Sequence, residues 1–221
     1  MKILSAVGIV NDVDYNFIDP ENFVSCLLSD ILPKCGHDAH DAQYFVKMSK
    51  IGEPFRKTWS TLYGREGFDE FNSIYQRTEP KYRHLLRRID GVYEALENLG
   101  DRGFKLSVLA NKQNFALNNS LIVAGLEKFF PEDLRIGITD GYEPKPSGEA
   151  IWELADRMEV DVKNLVMVGD AIVDIEAGLQ AEAQTVGVLT GGTTRRQFEE
   201  YGDQIVVLDS FASLPSIVKK I

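Results

Sequence analysis

The chain has little of several things, and each scarcity excludes a class of protein. Two cysteines in 221 residues, Cys26 and Cys35, are too few for a disulfide framework. They are read as reduced thiols of a cytoplasmic protein. Positive charge is scarce: 24 Lys and Arg stand against 34 Asp and Glu, a net charge of −10. That balance argues against a nucleic-acid partner, because phosphate-backbone binding draws on clustered Lys and Arg. No apolar run is long enough to span a bilayer, so no membrane partner is expected. The apolar stretch at residues 1–10 lacks a small-residue cleavage pattern and runs directly into acidic residues, which favours a buried strand over a signal peptide. Internal repeats and low-complexity segments are missing as well. Nothing in the sequence chooses between monomer and homodimer.

What remains is an ordinary globular composition, with 44% apolar and 26% charged residues. From about residue 89 onward, short apolar runs alternate with amphipathic stretches. Strands are predicted at 104–110, 134–139, 165–168, 185–189 and 205–208. Helices are predicted at 114–124, 147–158 and 175–181, with a terminal helix after the last strand. This alternation predicts an α/β fold, a Rossmann-like parallel sheet with helices on both faces. Residues 20–88 differ: aromatic and charged, without strand-like alternation, they read as an inserted α-helical cap. The expected division is a core of 1–18 and 89–221 and a cap of 19–88.

Chemistry is concentrated where strands should end. The first strand runs into Asp12-Val13-Asp14, two carboxylates one residue apart. Such close like charges persist only with a compensating cation or a shared proton, and a hard divalent metal supplies the former. Other predicted strand ends and loops supply Ala110-Asn111-Lys112, Lys145 between two prolines, and Gly169-Asp170 with Asp174 four residues later. In open parallel sheets, ligands collect at the carboxyl ends of strands, so these groups are expected to share one edge.

In that order, the residues resemble the haloacid dehalogenase superfamily, and within it the phosphoglycolate phosphatase-like members. Asp12 to Asp19 match the first motif, Ala110-Asn111 the second, Lys145 the third, and Gly169-Asp170 with Asp174 the fourth. The resemblance covers almost the whole chain. It implies a Mg²⁺-dependent phosphatase acting on a small phosphorylated metabolite through an aspartyl-phosphate. Asp12 would be the nucleophile, Asp14 the general acid/base and Lys145 a catalytic cation. Asn111, Lys145 and Asn16 would bind substrate, while Asp12, Asp14 (through its carbonyl), Asp170 and Asp174 would hold the metal.

Three positions depart from the family pattern: Tyr15 replaces Gly, Asn16 replaces Thr, and Ala110 replaces Ser or Thr. Tyr15 is expected to force an unusual turn and bring a ring toward the cleft. The hydroxyl missing at Ala110 corresponds to about 1.5–3 kcal/mol of hydrogen bonding to a charged group. The alternatives are a phosphosugar mutase of the same fold and a degenerate binding protein with little turnover. Dehalogenases of the superfamily replace the second aspartate of the first motif, so Asp14 argues against them.

Weaker signals receive plainer readings. His37-Asp38-Ala39-His40-Asp41 reads as a capped helix start in preference to a metal cluster. The basic stretch Arg83, His84, Arg87, Arg88 reads as a solvated face in preference to a substrate clamp. Thr190 to Thr194 lacks the spacing and lysine of a phosphate-binding P-loop, and reads as a loop beside the site. Phe55, Trp59, Tyr63, Phe68, Phe71 and Tyr75 read as the cap's own packing core, with one or two rings free to face the cleft.

Overall fold

The computed structural model describes residues 2–221. The chain begins with β1 (Leu4–Ala6), β2 (Gly8–Asn11) and β3 (Ile18–Asp19), followed by four helices: α1 (Glu21–Ile31), α2 (Ala42–Ser49), α3 (Phe55–Tyr63) and α4 (Phe68–Tyr82). It continues through β4 (Arg87–Arg88), α5 (Val92–Asp101), β5 (Lys105–Leu109), α6 (Asn114–Ala124), β6 (Arg135–Ile136) and α7 (Glu149–Met158). It closes with β7 (Leu165–Gly169), α8 (Ile172–Gln180), β8 (Gln184–Val188), α9 (Arg195–Glu199), β9 (Ile205–Leu208) and β10 (Val218–Lys220).

Six strands form one parallel sheet in the order β6-β5-β2-β7-β8-β9. Along each central strand, consecutive side chains enter different cores. Ile9, Val166 and Val168 pack with Leu96, Leu117 and Phe211, whereas Val10, Leu165 and Met167 pack with Ile151 and Leu154 of α7. Alternation of side chains across the pleat, with apolar residues on both sides, is what a sheet covered on both faces requires. The α/β reading therefore holds. Strand order reverses at β2, which lies between β5 and β7, so the carboxyl ends of these three strands meet at the topological switch point.

Two corrections concern the ends of the chain. The single first strand is two strands divided at Val7, whose N–H donates to the Asn164 carbonyl. The expected terminal helix is a 3-10 turn at 211–216 followed by β10, which pairs in parallel with β1. Pro215 within that turn removes a donor and prevents a longer helix.

The helical insert leaves and rejoins the sheet through a two-stranded antiparallel ribbon, with Ile18 opposite Arg88 and Asp19 opposite Arg87. Arg88 donates to the Ala124 carbonyl at 2.9 Å and lies over the Tyr93 ring. Arg83 pairs with buried Glu79 at 2.6 Å. The basic stretch thus fastens the junction and does not line the cavity described below. Asp38 accepts the His40 backbone N–H at 2.8 Å, as a helix-start cap does. Among the described residues, no helix is long and apolar enough to cross a membrane.

Candidate active site

β2 ends at Asn11, and the next residues turn sharply over the sheet edge. The Asp12 N–H still donates to the Val168 carbonyl, at 2.9 Å, which anchors the turn to β7. Phe17 and Ile18 both donate back to the Val13 carbonyl. Tyr15 takes the left-handed conformation, φ +57°, that non-glycine residues seldom adopt. Its ring turns away from the cavity, 4% exposed, with its hydroxyl 3.5 Å from Ser49 Oγ and Lys50 above its face. The expected ring at the cleft is therefore a peg between the turn and the end of α2. Burial pushes the Tyr15 hydroxyl pKa up, so it remains protonated.

Asn16 is fully buried beneath the same turn and donates to the Asp12 carbonyl at 2.9 Å. It does not line the cavity, so the structure makes it a brace for the turn and removes it from the substrate-facing set.

Asp12, Asp14, Asn111, Lys145, Asp170 and Asp174 do line one cavity, which encloses about 100 Å³. Lys145 Nζ donates to Asp12 Oδ1 at 2.6 Å and to the Leu109 carbonyl at 3.0 Å, and lies 2.6 Å from Asp174 Oδ1. Asp174 also accepts the Ala171 N–H at 2.9 Å across the first turn of α8. Asp170, Asp174 and Lys145 are 2%, 1% and 4% exposed, so their charges act with little screening from water.

Three buried carboxylates thus face one ammonium. Burial, followed by the charges of Asp174 and Asp14, raises the Asp12 pKa to about 7 against the pull of Lys145. Burial and the charges of Asp12 and Asp174 likewise push Asp170 up. Burial alone would lower Lys145, but Asp12 and Asp174 outweigh it and hold the ammonium protonated. Oxygens of Asp12, Asp170 and Asp174 lie within 4.8 Å of one another. An excess of hard oxygen donors with too little positive charge suits Mg²⁺. The Asp14 side chain stands outside that cluster.

Asp14 instead meets Lys112, whose Nζ donates to Oδ1 at 2.8 Å and to Ser120 Oγ at 3.1 Å. The sequence placed Lys112 at the sheet edge, after the second-motif strand, but its pairing with Asp14 had no sequence signal. Asn111 serves as a brace more than as a free donor. Its amide donates to the carbonyls of Gly52 and Lys145, and its carbonyl accepts the Lys145 N–H. This ties the turn after α2 and the lysine loop to the sheet edge.

The loop at 190–194 also belongs to the site's frame. A Cβ on Gly191 would collide with the Asp170 carboxylate, so only glycine permits that approach. The Gly192 N–H donates to the Lys50 carbonyl at 3.1 Å. Of the six aromatic residues read as insert core, Trp59 and Tyr63 do pack inward, beside His37. Phe55, Phe68, Phe71 and Tyr75 line the cavity as well, more than the one or two expected.

A doubly covered parallel sheet with an acidic cluster at its switch point, roofed by a helical insert, defines a class of hydrolase. Residues 9–188 match the family profile described as haloacid dehalogenase-like hydrolase. The chain belongs to the haloacid dehalogenase-like hydrolases. It is 31% identical over 153 residues to "Pyrophosphatase PpaX" of Bacillus velezensis, covering 67% of this chain and 69% of that protein. The Listeria monocytogenes protein of the same name is 34% identical over 121 residues, 54% of this chain and 55% of its own length. Among solved structures, a HAD family hydrolase from Deinococcus radiodurans R1, with bound phosphate and sodium, has a TM-score of 0.71 at 19% identity, covering 98% of this chain and 99% of that one. A hydrolase from Pseudomonas syringae gives 0.76 at 18% identity, over 96% and 97%. At those identities the likeness is one of fold.

Proposed function

We propose that the protein is a Mg²⁺-dependent phosphatase that hydrolyses a small phosphorylated metabolite through an aspartyl-phosphate on Asp12. The observation that carries this reading is the meeting of Asp12, Asp14, Lys145, Asp170 and Asp174 around one cavity. Asp12 attacks phosphorus, and the alcohol leaves with a proton from Asp14. Asp14 then takes a proton from the water that cleaves the acyl phosphate. Lys145 orients Asp12 and offsets charge on the phosphoryl oxygens. Lys112 fixes the rotamer of Asp14. Asp12, Asp170 and the Asp14 carbonyl would hold Mg²⁺, with Asp174 in support. When bound, the metal would neutralise carboxylate and phosphoryl charge.

In this reading the chain divides into a core of 1–18 and 89–221 and a cap of 19–88, with the β3–β4 ribbon as the junction. A cap closing over the sheet edge excludes bulk water and favours small substrates. The phosphate bound in the Deinococcus radiodurans structure is in keeping with this assignment.

The test is phosphate release from a panel of phosphorylated metabolites, with Mg²⁺ or with a chelator, in the wild type and in Asp12→Asn. Release that requires Mg²⁺ and vanishes in the variant is expected; release that survives Asp12→Asn removes the mechanism. Ala110, which lines the cavity without a hydroxyl, favours one rival reading, a binding protein with little turnover. Tight phosphate binding with no release from any panel member would establish that rival.

A further inference from the structure

The cavity changes character away from the sheet edge. The part of its lining contributed by α1, α3, α4 and α6 is dominated by the rings of Phe23, Phe55, Phe68, Phe71, Tyr75 and Phe115. Several of these rings touch: Phe55 and Phe115 each meet Tyr75 edge-on, at 6.1 and 5.9 Å between centroids. Burial, then the charge of Asp14, holds the Tyr75 hydroxyl protonated.

The charges along this lining are paired, those of Lys112 and Lys145 inside the cavity and that of Arg56 on its exposed side, away from the rings' interior. Among the described residues, the cavity's cations are Arg56, Lys112 and Lys145. Lys145 is held by Asp12 and Asp174, and Lys112 by Asp14. Arg56 reaches out to Asp69 at 3.1 Å and covers the Phe68 ring at 4.3 Å. Two of the three lining amides bond together, Gln113 donating to Asn72 at 2.7 Å. Glu53 pairs with Lys57 at 3.0 Å and adds negative charge beside the rings. A second phosphate or a carboxylate placed among these rings would lose its water without gaining a cation, which is costly.

We infer that the substrate is a phosphomonoester of a compact apolar alcohol, aryl-alkyl or alkyl, and neither pyrophosphate nor phosphoglycolate. The inference rests on the phosphatase reading above and specifies the leaving group. The phosphoryl group lies at the acidic floor and the apolar group lies among the rings. An apolar pocket of this kind discriminates by about 10- to 200-fold between ligands that fill it and ligands that do not. The chain would thus differ in substrate from the relatives named as pyrophosphatases.

The experiment compares benzyl phosphate with glycerol 3-phosphate, both esters of primary alcohols, and with 2-phosphoglycolate and pyrophosphate, all with Mg²⁺. Benzyl phosphate is expected to have a kcat/KM at least about tenfold above each of the others. The Phe55→Ser/Phe115→Ser double variant alters two half-buried rings and is expected to raise KM for benzyl phosphate about tenfold, and by clearly less for glycerol 3-phosphate. Preference for pyrophosphate or phosphoglycolate, or an equal effect of the variant on every ester, overturns the inference. Calorimetry on the wild-type protein with benzylphosphonate and methylenediphosphonate reads the same preference without turnover and without the variant. If no ester is hydrolysed yet benzylphosphonate binds tenfold tighter, the phosphatase reading fails and the apolar pocket stands. If methylenediphosphonate binds tighter, the pocket inference fails whatever the turnover.

Discussion

The sheet edge crowds three buried carboxylates around a single ammonium, whereas the wall above it, built by the helical insert and α6, presents six rings and one cation, Arg56, paired with Asp69 in solvent. The first arrangement is poor for folding, because buried like charges repel and lose their water. The second is favourable for folding, because each ring removes apolar surface from water. Their contrast separates two tasks. In the proposed reading, groups that destabilise the core perform the chemistry, and groups that stabilise the insert choose what is brought to it.

Breaking the floor should have the largest effect. Lys145→Met removes the one ammonium between Asp12 and Asp174. Activity is expected to fall at least about a thousandfold. Urea unfolding of the metal-free protein at pH 8 is expected to show a loss of about 3–5 kcal/mol, the cost of uncompensated buried charge. An unchanged midpoint would mean that the carboxylates are relieved in another way.

Gly191→Ala acts on the floor from outside it, by pressing a methyl group on the Asp170 carboxylate. The Mg²⁺ concentration for half-maximal activity is expected to rise about tenfold, the scale of disturbing a ligand's surroundings. Titration of activity against Mg²⁺ measures this directly.

Tyr15→Gly sets the two regions against each other in one residue. It restores the family's glycine and relieves about 1 kcal/mol of left-handed strain. It also deletes a buried ring that pegs the turn to α2, at about 3 kcal/mol. The net expectation is a loss of about 2 kcal/mol by denaturant unfolding; a gain would show that the ring contributes little.

The smallest effect is the pH dependence of the floor. The Asp12 carboxyl titrates at 3.8 in its ordinary setting and at about 7 in the fold. Between those values the folded protein holds more protons than the unfolded chain, so stability falls as pH rises from about 4 to 7. In chelator, Asp12→Asn is expected to melt several °C above wild type at pH 8, with the gap closing toward pH 4. Melting curves across that range check it, and a gap independent of pH would contradict the charge explanation.

Much of the floor was legible in the sequence because its residues follow strand ends, where order along the chain maps onto one edge of a parallel sheet. Helix 114–124 and strand 205–208 also emerged with the bounds the structure gives them. The partner of the terminal strand was not legible, since the pairing of β10 with β1 joins opposite ends of the chain. Neither was the separation of Asn16 from the cavity, which depends on which side of a four-residue turn an amide falls. The roles of Lys112 and Gly191, though both were placed near the site, went unseen for a related reason: each matters only through the carboxylate it meets in space, Asp14 or Asp170. The rings of α3 and α4 follow the spacing of a packing core, and four of them do that while also lining the cavity, a double role that spacing does not distinguish.

The most direct measurement is chemical trapping of Asp12 during turnover. The enzyme is mixed with Mg²⁺ and benzyl phosphate, quenched in acid and reduced with borohydride, which converts an aspartyl-phosphate to homoserine. Mass spectrometry of the peptide spanning Asp12 is expected to show homoserine at that position, in the wild type and in the Phe55→Ser/Phe115→Ser variant alike, because bond-making belongs to the floor. Steady phosphate release with Asp12 unmodified, or with the label on another residue, contradicts the division between a reactive floor and a selecting wall.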